Sequence, residues 1–210
     1  MKIVVFGATG RVGRKLVSGG IARGHELTAA ARHPEDVRAR VRIPRIVTCD
    51  LLDAAQVDAA VAGQDAVIVA VRARFSLAPG NVHSQGAANV VAAMQKHGVR
   101  RLLCISAAGV QDDHDPNLPP FFTRVMRPLL LRRVWPELRQ MESCVTGSRL
   151  DWTLIHVAHL TDGPATGQYR AEEGKSMPGG LRISRADIAD FMLKELERGE
   201  WSGRDVALAY

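Results

Sequence analysis

The sequence predicts an α/β protein: a single domain on a doubly wound parallel sheet with helices on both faces. Three observations carry this expectation. Short apolar runs rich in β-branched residues alternate with stretches of helical period, and a glycine-rich turn joins the first run to the first helical stretch. No intervening segment reads as a linker, an internal repeat or a low-complexity tract, so residues 1–210 form one unit. A chain of 210 residues buries a sizeable core without staples.

The elements follow in order. "KIVVFG" is a continuous apolar run, as a strand buried on both faces should be. In "RVGRKLVSGGIARGH", a helix places Val12, Leu16, Val17 and Ile21 on one face and Arg11, Arg14, Lys15 and Arg23 largely on the other. "ELTAAA", "RIVTCD", "DAVIVAV", "RRLLCIS" and "DWTLIHV" are strands two to six. Between them "DAAQVDAAVAG", "NVHSQGAANVVAAMQKHG" and "LRQMESCVTGS" read as helices. Two segments break the alternation: "VQDDHDPNLPPFF" is a polar, Pro-rich loop, and "TDGPATGQYRAEEGKSMPGG" is a long excursion after strand six. Ligands of doubly wound sheets lie beyond the carboxyl ends of the strands. The loops at about 107–122 and 159–182 are therefore expected to wall a binding cleft. The tail "DVALAY" fits either a last strand or a dimer contact, and the expectation is a monomer or weak homodimer.

Composition narrows the function classes. With 46% hydrophobic and 24% charged residues, the chain has the make-up of a soluble globular protein. The net charge of +6 invites a nucleic-acid reading, but the positive residues are scattered and aromatics make up only 5%. A small polyanion accounts for the excess as well, so no nucleic-acid partner is expected. No apolar run approaches a membrane span, and the basic stretch "RVMRPLLLRRVW" is interrupted by Pro128 and followed by Pro136, so no membrane contact is expected either. A strand starting at Lys2 leaves no room for a signal peptide. Cys49, Cys104 and Cys144 are far apart and lack metal-ligand spacing. The expectation is a cytoplasmic protein with reduced thiols and no metal.

"GATGRVG" carries the chemistry. Glycine at 7, 10 and 13 after a strand and before a helix is the usual seat of a pyrophosphate. The first glycine makes the turn, the second lets phosphates approach the backbone, and the third lets helix pack on strand. The spacing is GxxGxxG, and Lys15 is followed by Leu16, which excludes a Walker P-loop. Gly7, Gly10 and Gly13, with Arg11 and Val12 at the helix start, are candidate cofactor-binding positions of a Rossmann-type domain. The end of strand two selects the dinucleotide. Where an acid would hold ribose hydroxyls, "TAAARHPED" has Arg32, suited to a 2′-phosphate, with Arg11 and Arg14 as helpers. NADP(H) is expected over NAD(H).

The GxxGxxG turn, the Asp50–Leu51 pair after strand three and Ser106 at the end of strand five resemble the atypical short-chain dehydrogenase/reductases. Within these, "VAGQDAVIVAV", "GAANVVAAMQKHGV" and "ISAAG" are similar to the biliverdin-IXβ reductase or NADPH flavin reductase family, a likeness that continues through "TDGPATGQY" and "ISRADIADFML". The resemblance implies a single-domain reductase with an open substrate site over the nicotinamide. It implies that Gly7, Thr9, Gly10 and Gly13 line the pyrophosphate, that Arg32 faces the 2′-phosphate, that Asp50 and Leu51 flank the adenine and that Ser106 lies beside the nicotinamide. His159 corresponds to a histidine near the substrate. The chain departs from that family at Arg72, where a glycine is usual. Arg72 is expected either to clamp cofactor phosphates or to narrow the substrate side.

The same residues make chemical sense without the resemblance. Ser106 ends strand five and His159 follows strand six, so both are expected to point into the cleft. Hydride transfer needs a positioned cofactor and acceptor, then a proton for the charge that develops. His159 suits that proton or an ordered water, and His156, inside the strand, suits a structural role. The Tyr-x-x-x-Lys dyad of typical short-chain dehydrogenases is absent: the first tyrosine is Tyr169, and no lysine lies between Lys96 and Lys175. The expectation is a reductase of planar conjugated acceptors such as a flavin, linear tetrapyrrole or quinone. A non-catalytic NADP(H)-binding redox sensor is the alternative.

Overall fold

A computed structural model of the chain describes residues 1–35, 45–71, 81–108 and 134–210. Ten strands are described: β1 (Lys2–Phe6), β2 (Glu26–Ala31), β3 (Arg45–Thr48), β4 (Ala66–Val69), β5 (Arg101–Ala107), β6 (Asp151–Val157), β7 (His159–Thr161), β8 (Arg170–Glu173), β9 (Arg182–Ser184) and β10 (Arg204–Ala209). With them are five helices: α1 (Arg11–Ala22), α2 (Ala54–Val61), α3 (Ser84–His97), α4 (Val134–Thr146) and α5 (Arg185–Arg198). The main sheet has eight strands in the order β3-β2-β1-β4-β5-β6-β10-β8. All its pairings are parallel except β8 on β10. The order reverses at β1, which lies between β2 and β4, and that crevice is where a doubly wound sheet takes its ligand.

Alternation along the strands divides the core in two. Val5, Leu103 and Ile155 point to one face, packed by Leu16 of α1 and Met192 of α5. Phe6, Leu102 and Leu154 point to the other, packed by Val61 of α2, Met94 of α3 and Met141 of α4. Both faces are thus covered, which is why the central strands read as unbroken apolar runs.

Five outcomes refine the expectations. Ile21 is exposed, because it lies nine residues, or about 180° around the helix, from Val12. Gly20 instead faces Leu27: a Cβ there would lie 2.9 Å from Leu27 Cδ2. The excursion after strand six is more regular than expected, since it contains β8, which extends the main sheet, and runs between the paired strands β7 and β9. The tail is a strand, β10, inserted between β6 and β8. Helix α5 is an element the sequence reading does not include; Ser184 caps it, its Oγ accepting from Asp187 N, and Gly199 ends it at φ +67°. Pro136 is tolerated because it falls in the first turn of α4. Most of the expected cleft wall 107–122, Arg72 and residues 124–133 of the basic stretch lie outside the described residues. No helix among the described residues is long and apolar enough to cross a membrane.

Candidate functional site

The glycine turn is built by close backbone approach. Gly7 has φ +83°, and a Cβ on it would lie 2.6 Å from Ala70 O at the end of β4. A Cβ on Gly13 would lie 2.2 Å from Gly7 O, so α1 rests directly on the turn. Gly10 differs: its φ of −68° suits any residue, and its Cβ would lie 3.1 Å from Gly7 O and 3.9 Å from Ala70 O, a tight but not impossible fit. Gly10 is the N-cap of α1, yet no side chain caps the helix and its first turn carries no acid. The leading N–H groups and the positive end of the helix dipole are therefore left for an anion. These residues fit a dinucleotide pyrophosphate.

The charged neighbours are arranged less simply than their spacing implies. Arg14 Nη1 donates to Thr9 O at 2.8 Å and so braces the turn. Arg11 Nη1 pairs with Asp162 Oδ2 at 2.7 Å, and Asp162 Oδ1 with Arg185 Nη1 at 2.8 Å, which ties the turn to the segment after β7. Neither arginine is committed to Arg32's end of the cleft. Arg32 is exposed just past β2 and has no hydrogen-bonding or ionic partner among the described residues. Beside it, Cys49 N donates to Ala31 O at 2.9 Å, which brings Asp50 and Leu51 to the same end of the sheet. Asp50 N donates to Gln56 Oε1, and Leu51 O accepts from Asn89 Nδ2, so α2 and α3 hold this pair in place.

At the other half of the crevice, Ser106 and His159 part company. Ser106 is buried, and its Oγ lies 2.5 Å from Glu142 Oε1 of α4. Its hydroxyl is therefore turned under α4, a placement the expectation of an open cleft position did not include. His159 is exposed at the start of β7, with its backbone N donating to Leu181 O at 3.1 Å. His156 is buried, as a structural strand residue should be, but it joins a charged cluster. Its Nε2 is 2.7 Å from Asp205 Oδ1, and its Nδ1 is 3.4 Å from Ala107 O and 3.7 Å from Glu142 Oε1. Lys175 Nζ lies 3.2 Å from Glu142 Oε2.

The cluster's electrostatics follow from burial and pairing. Burial raises the Asp205 carboxyl, but the His156 hydrogen bond and the charges of His156 and Lys175 outweigh it and leave the carboxyl below its ordinary value. Burial, with help from Glu142, pushes the neighbouring Cys104 thiol up to about 12, so it stays neutral and unreactive. Among the described residues no His, Cys, Asp and Glu group has the makings of a metal site.

Glu142, Asp205 and Lys175 were not among the candidates from sequence. Glu142 had a legible signal: in "LRQMESCV" it lies on the same helical face as Leu138, Met141 and Val145, all buried. An acid on a core-facing stripe demands a partner. The partners themselves come from β5, β6 and the segment after β8, and no local pattern announces them.

Known proteins resemble this geometry. The chain is 28% identical to YwnB, an uncharacterized protein of Bacillus subtilis, over 95% of this chain and 94% of that one. The crystal structure of the oxidoreductase ylbE from Lactococcus lactis superposes with a TM-score of 0.81 at 22% identity, covering 100% of this chain and 90% of the other. A short-chain dehydrogenase/reductase from Veillonella parvula in complex with NADP superposes at 0.79 with 16% identity, covering 100% and 94%. At such identities the two structures speak for the fold. The sequence family described as NAD(P)H-binding matches residues 7–198, from the first glycine of the turn to the last residue of α5, and the chain belongs to it.

Proposed function

We propose that the protein is an NADPH-dependent reductase that passes hydride to a planar conjugated acceptor: a flavin, a linear tetrapyrrole or a quinone. The observation that carries the reading is the glycine cradle at an uncapped helix start, with Arg32 exposed, and without a partner among the described residues, where a 2′-phosphate would lie. The NADP complex of the Veillonella parvula neighbour supports the choice of dinucleotide. The bound dihydronicotinamide supplies the hydride. The chain's own residues bind and orient: α1 and the turn hold the pyrophosphate, and Asp50 and Leu51 flank the adenine. His159, exposed at the mouth, suits a proton for the acceptor or an ordered water.

The acceptor class follows from what α4 carries. With no Tyr-x-x-x-Lys dyad in the chain, the ordinary relay for alcohol oxidation is missing, and acceptors that stabilise added electrons by conjugation need less acid help. The partner is a small molecule, and the working environment is cytoplasmic. A second reading, a redox sensor that binds NADP(H) without turnover, is favoured by one observation: the Ser106 hydroxyl is committed to Glu142 rather than open. Incubation with NADPH and FMN or a quinone separates the two. Loss of nicotinamide absorbance at micromolar acceptor supports the reductase, and tight NADPH binding without turnover supports the sensor.

A further inference from the structure

The wall segment that follows β6 carries more positive charge than its own acids pair. Between residues 159 and 182 the acids are Asp162, Glu172 and Glu173, and each is already engaged. Asp162 holds Arg11 with one oxygen and Arg185 with the other, Glu172 holds Arg170, and Glu173 holds Arg204. Lys175 of the same segment is paired with Glu142. Arg182 is left over: its side chain is exposed and has no hydrogen-bonding or ionic partner among the described residues.

The fold sets Arg182 beside His159. β6 ends at Val157, β7 starts at His159, and β9 pairs with β7 in parallel, His159 opposite Arg182 and Leu160 opposite Ile183. Leu160 and Ile183 turn into the core shared with α1 and α5. Side chains alternate along a strand, so His159 and Arg182 stand together on the other face, beyond the carboxyl end of β6. Ligands of a doubly wound sheet lie at those ends. An imidazole brings no negative charge to a guanidinium, and a protonated one repels it, so this pair does little for the ladder. Leu181, just before Arg182, is 55% exposed, and its carbonyl accepts from His159 N. A cation, a second polar side chain and an apolar one are thus grouped where the reductase reading puts its acceptor.

We propose that the acceptor carries an acidic group and that Arg182 binds it, so that this arginine selects anionic acceptors over neutral ones. The proposal rests on the reductase reading above and narrows it. A plain quinone has no group for Arg182, whereas a flavin mononucleotide has a phosphate and the linear tetrapyrroles have carboxylates. A guanidinium suits either, because its planar fork matches two oxygens of one acid. Arg182 sets specificity and touches no reacting atom. Its exposure keeps the contact modest, since water competes for the charges and salt screens them.

The test uses pairs of acceptors that share a ring system and differ in the acid: FMN against riboflavin, and a linear tetrapyrrole dicarboxylate against its dimethyl ester. Wild type is expected to favour the acidic member of at least one pair by roughly three- to thirtyfold in kcat/KM, mostly through KM. In Arg182→Ala that ratio falls to about one, and in wild type it shrinks as salt rises. A structural role for Arg182 would lower both members of a pair together and leave their ratio where it was. A preference confined to FMN identifies the phosphate as the acid, and one confined to the tetrapyrrole identifies the carboxylates. No preference in either pair, or a preference that survives Arg182→Ala, overturns the proposal. Dissociation constants of the same compounds, measured by calorimetry with NADP⁺ present, supply a readout independent of turnover. Binding that shows the preference and its loss in Arg182→Ala, with no oxidation of NADPH by any acceptor, overturns the reductase reading and leaves Arg182 as the anion-binding residue.

Discussion

At the scale of single residues, the glycine turn separates positions that the fold requires to be glycine from one that it does not. A methyl group at 13 would sit 2.2 Å from Gly7 O, backbone against backbone, with nothing flexible to give way. Gly13→Ala is therefore expected to destabilise the cofactor-free protein by about 1–3 kcal/mol or more, read as a lower denaturation midpoint. Gly10→Ala meets one backbone oxygen at 3.1 Å in an ordinary conformation, so the fold should survive. If Gly10 lines the pyrophosphate as proposed, its methyl meets the phosphates, and NADPH affinity should fall at least tenfold with little change in midpoint. A Gly10→Ala protein that unfolds as easily as Gly13→Ala would count against this division. Among the described residues Arg32 has no partner to lose, so Arg32→Ala is expected to leave stability unchanged. Removing a charge-assisted contact to a 2′-phosphate is worth about 1.5–3 kcal/mol, or roughly ten- to a hundredfold in NADPH affinity. NADH affinity should barely move, and equal losses for both cofactors would show that Arg32 does not read the phosphate. The turn and the helix start were legible in the sequence because they are local: spacing, turn and helix start all fall within seven residues. Arg14 was harder, since nothing in the spacing shows that it braces Thr9 O rather than reaching for a ligand.

At the scale of elements, α5 shows where local reading fell short and what anchors the cleft's outer wall. The run Ser184, Arg185, Ala186, Asp187 is a capping signature, with Ser184 Oγ accepting from Asp187 N at 3.0 Å. Asp187 then does more than face the helix dipole. Its carboxylate accepts from Thr166 N, Gly167 N, Thr166 Oγ1 and the Tyr210 hydroxyl, so one buried acid joins the segment after β7, the start of α5 and the chain's last residue. Ser184→Ala is expected to cost about 1 kcal/mol through the lost cap. Asp187→Ala should cost more, because it strands several donors that the carboxylate now serves. Denaturant midpoints of the two variants check the ranking, and a larger loss in Ser184→Ala would refute it. The strands and the first four helices were legible because each buries one regular stripe or face. The grouping of Ser106, His156 and Glu142 was not, because it depends on α4 crossing β5 and β6 at one particular place. Sequence periodicity gives the stripe of α4 but not what that stripe meets.

At the scale of the whole molecule, ion pairs between elements make stability depend on pH, and the direction can be worked out. Asp58 of α2 is held below its ordinary value near 3.8 by hydrogen bonds from Lys96 and His97 of α3, and Asp151 of β6 by Arg100. For Asp187, burial raises the carboxyl, but the donors from Tyr210, Gly167 and Thr166 outweigh it and leave it lowered. Asp205 is lowered too. A carboxyl whose folded value is depressed stabilises the fold above its unfolded value and loses that contribution as pH falls through the folded one. His83, lowered from 6.5 by burial and only partly restored by Glu137, obeys the same sign for a different reason: the unfolded chain binds its proton first. Acid should therefore act in two stages. A shallow loss of stability begins below about pH 6.5 as the unfolded His83 takes up its proton, and a steep loss follows below about pH 4 as the four carboxyls do. His83→Gln should remove the first stage and leave the second. Asp187→Asn should make the second shallower. High salt should weaken the contributions of Asp58 and Asp151, which are partly exposed, more than that of the buried Asp187. Denaturant midpoints measured across pH 7 to 3 for wild type and both variants test this, and a single transition unaffected by His83→Gln would reject the two-stage account.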